Sequence, residues 1–426
     1  MGFCELEGDR LDLVHQNFPD AHLFVGDIWQ TKDEIVGHIS SKCNEVGQEL
    51  TLITCTAPCQ GMSKNGQGTL LRNIREGKRP KLDPRNRLIL PALDIISKLR
   101  PKFVVFENVS EMRKTLIEDE DGQIISILDK IKITLGKEYV GQAYDVEFAN
   151  YGIPQRRQRL ITVYSRQPLH HELIKHKGQL IPPATHSRDG VGELKKWVPV
   201  ADILRNFPPL DAKSKRSASN PSVPFHRVPV LDEMKYFWVA NTQPGMSAFD
   251  NQCVECGYQG NQIHSNVRDS DGINRSSKET PLFCEMCKAM LPRPSTLQPD
   301  GTRRIMSGYT SAYKRMRGDL PSPALTRNFS YACSDQKVHP FENRVLSIAE
   351  ALKIHSLSDY KYEWTLTENG KTKVVSDALI RLMIGESIPP KFLELLGRYL
   401  IETSNGNFSR SYIKSNQKQL FEGFAV

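Results

Sequence analysis

No uninterrupted apolar run in this sequence approaches the ~18 to 20 residues that cross a bilayer. The start, MGFCELEGDR, also lacks the basic-then-apolar order of a signal peptide. A soluble, cytoplasmic chain without a membrane partner is therefore the expectation. Cysteine is sparse, nine in 426 residues, which excludes a disulfide-stapled scaffold. Internal repeats and low-complexity tracts are missing, which excludes solenoids and disordered polymers. A surplus of one charge is missing from most of the chain as well. The net charge of +8 comes entirely from residues 166–345, where 25 Lys and Arg face 17 Asp and Glu. A basic segment in a neutral scaffold points to a polyanion partner, with a solvated face as the bland alternative. What is present is ordinary globular composition, 39% hydrophobic and 25% charged, over a length that suits two or three packing units.

Four of the nine cysteines are concentrated in one stretch. Cys253 and Cys256 form one CxxC, Cys284 and Cys287 another, with 27 residues between the pairs. Two such knuckles suit tetrahedral zinc, which in an intracellular chain is favoured over two disulfides. A closed four-sulfur site offers no open position for substrate, so the expected zinc is structural. His264, between the knuckles, is read as a bystander.

Residues 49–165 alternate β-rich runs with helical patterns. Strands are expected over 51–57 (TLITCTA), 102–107 (KFVVFE) and 159–164 (RLITVY), and helices over 86–99 and 123–135. Strands separated by helices imply βαβ units and a doubly wound, mostly parallel α/β sheet with ligands at the carboxyl ends of its strands. From 166 to 337 Pro, Ser and Asn accumulate and the helical period fades, so a loop-rich inserted unit stiffened by zinc is expected. Helical patterns return over 346–355, 375–384 and 391–401. The division expected is 1–165 and 338–426 as one catalytic domain interrupted by 166–337, with a loosely ordered tail from about 403.

Three short motifs stand beside predicted strand ends. Pro58-Cys59-Gln60-Gly61 follows the first strand and leads into Ser63, Lys64, Gly66 and Gly68, placing a cysteine where it can act as an exposed nucleophile, with a buried cysteine before a turn as the bland alternative. Glu107-Asn108-Val109 follows the second; a carboxyl group there can serve a heterocycle's ring nitrogen and amine, or merely cap a helix. Gln155-Arg156-Arg157-Gln158-Arg159 leads into the third, and on extended chain Arg157 and Arg159 share one face.

In this order the three motifs resemble the DNA cytosine-5 methyltransferase family. Asn17-Phe18-Pro19, Gly26-Asp27-Ile28, the run from Arg344 to Glu350 and the run from Ile384 to Pro390 are similar to further motifs of that family. The resemblance covers residues 5–165 and about 322–401. It implies that Cys59 attacks C6 of a cytosine flipped out of the duplex, that Glu107 bonds N3 and the amine, that Arg159 holds the O2 side, and that Arg157 braces the pocket. The product is 5-methylcytosine and the methyl donor S-adenosylmethionine. By the same resemblance Gln60 and Ser63 lie near the target phosphate and the emptied stack. Glu5 takes the ribose hydroxyls, Leu6 the adenine face and Asp27 the adenine amine, and Leu88 and Ser387 complete the cofactor contacts.

In that family the segment between the Arg motif and the following Arg-Val-Leu-Ser motif reads double-stranded DNA. Here it is the basic one, and Arg303, Arg304, Lys314, Arg315 and Arg317, interleaved with Tyr309 and Tyr313, fall in an acid-free run over 301–318. Two departures accompany the resemblance. The glycine-rich first motif is absent from these residues, since Phe421-Glu422-Gly423 lacks a second glycine and a following helix. A companion polypeptide supplying that motif, as in a split enzyme, is therefore expected. Glu386 also stands where the family more often has Asn. A restriction-modification setting is the leading reading; a catalytically silent DNA-binding relative and a tRNA cytosine methyltransferase are the alternatives.

Overall fold

The structure, a computed structural model, describes residues 1–58, 61–62, 82–264, 267–268, 274–275, 280–306, 311–368 and 371–407. Strand β1 (Gly2–Glu5) runs parallel to β2 (His22–Val25), with helix α1 (Gly8–Asn17) between them. Helix α2 (Ile28–Val46) is capped by Asp27, whose side chain accepts from the Trp29 amide at 3.0 Å, and it ends at Gly47 in the left-handed conformation (φ 62°). Strand β3 (Leu52–Cys55) then pairs parallel with β4 (Phe103–Asn108), and α3 (Ile89–Leu99) lies on the connection between them.

After β4 a short hairpin, β5 (Leu116–Glu118) with β6 (Ile124–Ser126), precedes α4 (Ile127–Leu135). The helix expected from 123 thus begins at Ile127, because Ser126 caps it by accepting from the Asp129 amide at 3.1 Å. Strand β7 (Val140–Glu147) reverses through the two-residue strand β8 (Gln155–Arg156) and returns as β9 (Gln158–Ser165). The resulting sheet has the order β3-β4-β9-β7. β4–β9 and β9–β7 are both antiparallel, so β3, β4 and β7 run the same way and β9 alone opposes them, one reversed strand in the mostly parallel sheet that was expected. The reversal over 148–157 is too short for the crossover a parallel pair requires. Among the described residues, β1 pairs only with β2 and β3 only with β4, so each presents an edge without a strand partner.

Alternation along β4 sends its side chains to opposite faces. Val104 and Phe106 pack with Ile89, Leu93 and Ile96 of α3 and Ile127 and Ile131 of α4. Phe103 and Val105 pack with Leu173 of α5 (Pro168–Lys175) and Phe392, Leu396 and Leu400 of a helix near the end of the chain. Helices cover both faces, which makes the architecture α/β. A separate cluster joins Phe24 of β2, Ile35 of α2 and Ile95 of α3, with Ile53 of β3 packed against it.

From 166 onward regular structure is short. Helix α6 (Val200–Leu204) joins Met316, Leu325 and Phe329 in a core with α8 (Ile348–Ile354), α9 (Asp377–Glu386) and Leu13 of α1. Helix α7 (Glu233–Ala240) instead helps build a second core with Leu210, Phe249, Tyr313 and Val338. Parts of 166–337 therefore pack as one body with the C-terminal helices. Ser347 and Glu350 close a reciprocal capping box at the start of α8, and Pro390 opens α10 (Pro390–Ser404), where its missing N–H costs nothing. No helix among the described residues is long and apolar enough to cross a membrane.

Candidate active site

The carboxyl ends of β3 and β4 lie side by side, Cys55 opposite Phe106. One residue further, Glu107 is buried, and its Oε1 meets Arg159 Nε at 2.9 Å. Burial raises the Glu107 carboxyl above its ordinary range, while the charges of Arg159 and Arg157 pull the other way. Such a group holds or releases a proton according to what stands before it. Arg157 is wholly buried and donates to the carbonyls of Leu325 at 2.8 Å and Gly385 at 2.9 Å. Its part is therefore bracing: it ties the start of β9 to two segments distant in sequence. Gly385 also lets the end of α9 lie directly against the 326–327 backbone, since a Cβ there would lie 2.2 Å from the Arg327 amide nitrogen.

Cys59, Gln60 and Ser63 lie outside the described residues. Their flanks do not. Asn108 Nδ2 donates to the Ala57 carbonyl at 3.0 Å, fastening the chain that enters Pro58-Cys59 to the strand end that carries Glu107. On the other side, Gly61 is pressed against the segment before α3: a Cβ would stand 2.6 Å from Asn86 Oδ1 and 2.8 Å from Asp83 Cβ. Asn108 had been visible in the sequence only as a neighbour of Glu107; its role as a fastener needed the fold.

A second cluster gathers at the ends of β1 and β2. Glu5 Oε1 accepts from the amides of Leu6 at 2.9 Å and Glu7 at 3.3 Å, so the carboxylate is oriented by backbone. Asp27 follows the neighbouring strand β2 and caps α2. Leu6 is 64% exposed and Trp29 39%, leaving apolar surface between two acids. A diol and an amine find carboxylates here, and a flat ring finds apolar cover, so the donor set fits a nucleoside. Trp29 escaped notice in the sequence because nothing local marks an exposed tryptophan in a first helical turn. Leu88 is half-buried just ahead of α3. Ser387 Oγ bonds His355 Nε2 at 2.9 Å, and His355 Nδ1 bonds Gln155 Nε2 at 3.0 Å, a buried chain that fixes the turn after α9.

In the basic segment, Arg304 and Arg317 are exposed, and Arg303 and Lys314 half-exposed. Arg317 forms an ion pair with Asp319, just beyond the acid-free run. Arg315 is a correction. It is buried, and its five donors are taken by the carbonyls of Thr242, His339, Glu342 and Val239 and by Asn343 Oδ1, at 2.6 to 2.9 Å. A guanidinium has no further N–H to offer a phosphate. Burial also pulls its pKa down to about 10.

The sulfurs of Cys253, Cys256, Cys284 and Cys287 lie within 4.8 Å of one another, a group able to hold a metal ion. Neighbouring Sγ atoms stand 3.5, 3.6 and 3.7 Å apart. His264 turns away to pair with Asp250.

The chain is 25% identical over 405 residues to the type II methyltransferase M1.HgaI of Avibacterium volantium, covering 92% of this chain and 89% of that one. It is 29% identical over 358 residues to M.XorII of Xanthomonas oryzae pv. oryzae, covering 83% and 69%. A solved structure of a prophage-encoded E. coli protein, described as a DNA modification methyltransferase, superposes with a TM-score of 0.51 at 15% identity over 95% of this chain and 92% of that one, a likeness of fold. A single family profile, C-5 cytosine-specific DNA methylase, spans residues 3–402 and so takes in both strand-end clusters and the basic segment between the motifs; the chain belongs to that family.

Proposed function

We propose that this chain methylates C5 of a cytosine flipped out of double-stranded DNA, in a restriction-modification setting, with S-adenosylmethionine as donor. The observation that carries this reading is the buried Glu107–Arg159 pair beside a strand end that Asn108 fastens and that leads directly to Cys59. A base in the stack is out of reach of any side chain, so extrusion precedes chemistry. Cys59, as thiolate, forms a bond to C6, and the displaced electron pair makes C5 nucleophilic. Glu107 bonds N3 and the exocyclic amine as negative charge develops on the ring, and its raised pKa suits a proton held there. Arg159 steadies Glu107 and faces the O2 side. The donor, when bound, supplies an electrophilic methyl group. Loss of the C5 proton and breaking of the Cys59–C6 bond then restore the aromatic ring.

Glu5, Leu6, Asp27, Leu88 and Ser387 would hold the donor, Glu5 taking its ribose hydroxyls. The open edges of β1 and β3, with one apolar cluster joining β2, α2, α3 and β3, suit an additional strand, and we assign that place to a companion segment carrying the glycine-rich motif. Gln60 and Ser63 are assigned to the backbone around the emptied stack, and Arg303, Arg304, Lys314 and Arg317 to DNA contacts that weaken steeply with salt.

Replacing Glu107 with Gln should lower turnover by about a hundredfold or more while DNA affinity stays within about threefold, because the contact matters most as charge develops. Single-turnover kinetics beside a DNA-binding titration check this. Unchanged turnover would remove Glu107 from the chemistry.

The four cysteines are assigned one structural zinc. Tetrahedral Zn–S bonds of 2.3 Å place sulfurs roughly 3.8 Å apart, close to the spacings between Cys253, Cys256, Cys284 and Cys287. Metal analysis of chelator-free protein should find one zinc per chain. Cys284→Ser should lose it, with sequence-specific binding lost and the catalytic sheet still folded; full zinc-free stability would contradict the assignment.

A further inference from the structure

The C-terminal turn and the first helix meet at one guanidinium. Arg10, on α1, places Nη1 3.2 Å from Glu5 Oε2 and Nη2 3.1 Å from Glu386 Oε2. The two acids come from opposite ends of the chain and from different elements. Glu5 ends β1, its other oxygen held by the Leu6 and Glu7 amides. Glu386 ends α9, in a turn already fixed from within: Arg157 holds the Gly385 carbonyl and His355 holds Ser387 Oγ. Arg10 fixes the same turn from outside. Nearby, Asn17 closes a second link, donating to the Glu363 carbonyl at 2.9 Å and accepting from the Glu363 amide at 2.7 Å.

The side chains of these pairs are 28 to 41% exposed, so they contribute little to stability. Their consequence is orientation. A carboxylate free to rotate about its side-chain torsions must be ordered when a ligand arrives, whereas one held on both oxygens is ordered beforehand. Two carboxylates this close would also repel each other without the shared cation. We propose that Arg10 is a positioning residue of the cofactor site: it sets the Glu5 carboxylate for the ribose diol and neutralises Glu386 so that an acid is tolerated beside it. This rests on the reading of Glu5 as the diol's partner.

The test compares S-adenosylhomocysteine with its 2′,3′-dideoxy analogue by calorimetry on the full chain, the readout being the ratio of the two dissociation constants. A ratio survives even where absolute affinity is low. Wild type should prefer the diol by about tenfold or more. Arg10→Met, which keeps the stem and removes the fork, should shrink the preference below about threefold with little change in melting temperature. Glu386→Gln leaves Arg10 wholly to Glu5 and should keep the preference at or above the wild-type value. Equal weakening of both ligands by Arg10→Met, or a fall in preference in Glu386→Gln, would overturn the assignment to Arg10. A wild type without preference would overturn the reading of Glu5 itself, and the Arg10 assignment with it.

Discussion

Cys59→Ser should reduce methyl transfer by at least about a thousandfold and leave DNA affinity within about threefold. A hydroxyl at neutral pH is a far poorer nucleophile than a thiolate, yet it fills nearly the same volume. The flanks of Cys59 are fixed independently of its side chain. Asn108 holds the Ala57 carbonyl before it, and the close contact of Gly61 with Asp83 and Asn86 seats the chain after it. Neither of these two contacts involves the Cys59 side chain, so both should persist in the variant. Filter binding or anisotropy beside a tritiated-methyl assay separates the two effects. Parallel loss of DNA binding would mark the cysteine as structural.

The second large effect concerns the open edges of β1 and β3. Glu5, Leu6 and Asp27 offer partners for the adenosine half of the donor, but the described residues there contain no glycine turn that would let backbone approach the other half. Tenfold in affinity corresponds to ~1.4 kcal/mol, so if a companion segment supplies several backbone contacts and a strand there, its absence would weaken binding by about a hundredfold or more. The 426-residue chain alone should bind the donor weakly and methylate poorly. A segment carrying a β-strand followed by the glycine motif should restore both. Robust turnover by the chain alone would show that its own residues complete the pocket.

Much of this site could be read without coordinates, for identifiable reasons. The run KFVVFE is apolar on both alternating faces, which only a doubly covered strand tolerates, and it delivers Glu107 to a strand end. The direction of pairing was not legible, because β9 reads the same whichever way its neighbours run. The start of α4 was misread because Ile124 and Ile125 satisfy a helical period and a strand equally. Arg315 and Arg317 were indistinguishable in sequence: an acid-free run says nothing about which guanidinium meets buried carbonyls and which meets solvent. Arg10 and Glu386 carried no shared signal at all, since only folding brings the two ends of the chain together.

Nucleoside analysis of methylated DNA tests the central claim most directly. The chain, supplied with the glycine-motif segment, S-adenosylmethionine and double-stranded DNA, should yield 5-methyl-2′-deoxycytidine, and the Cys59→Ser chain none. Methyl groups on the exocyclic nitrogen of cytosine or adenine, or equal product from the Cys59→Ser chain, would contradict the account.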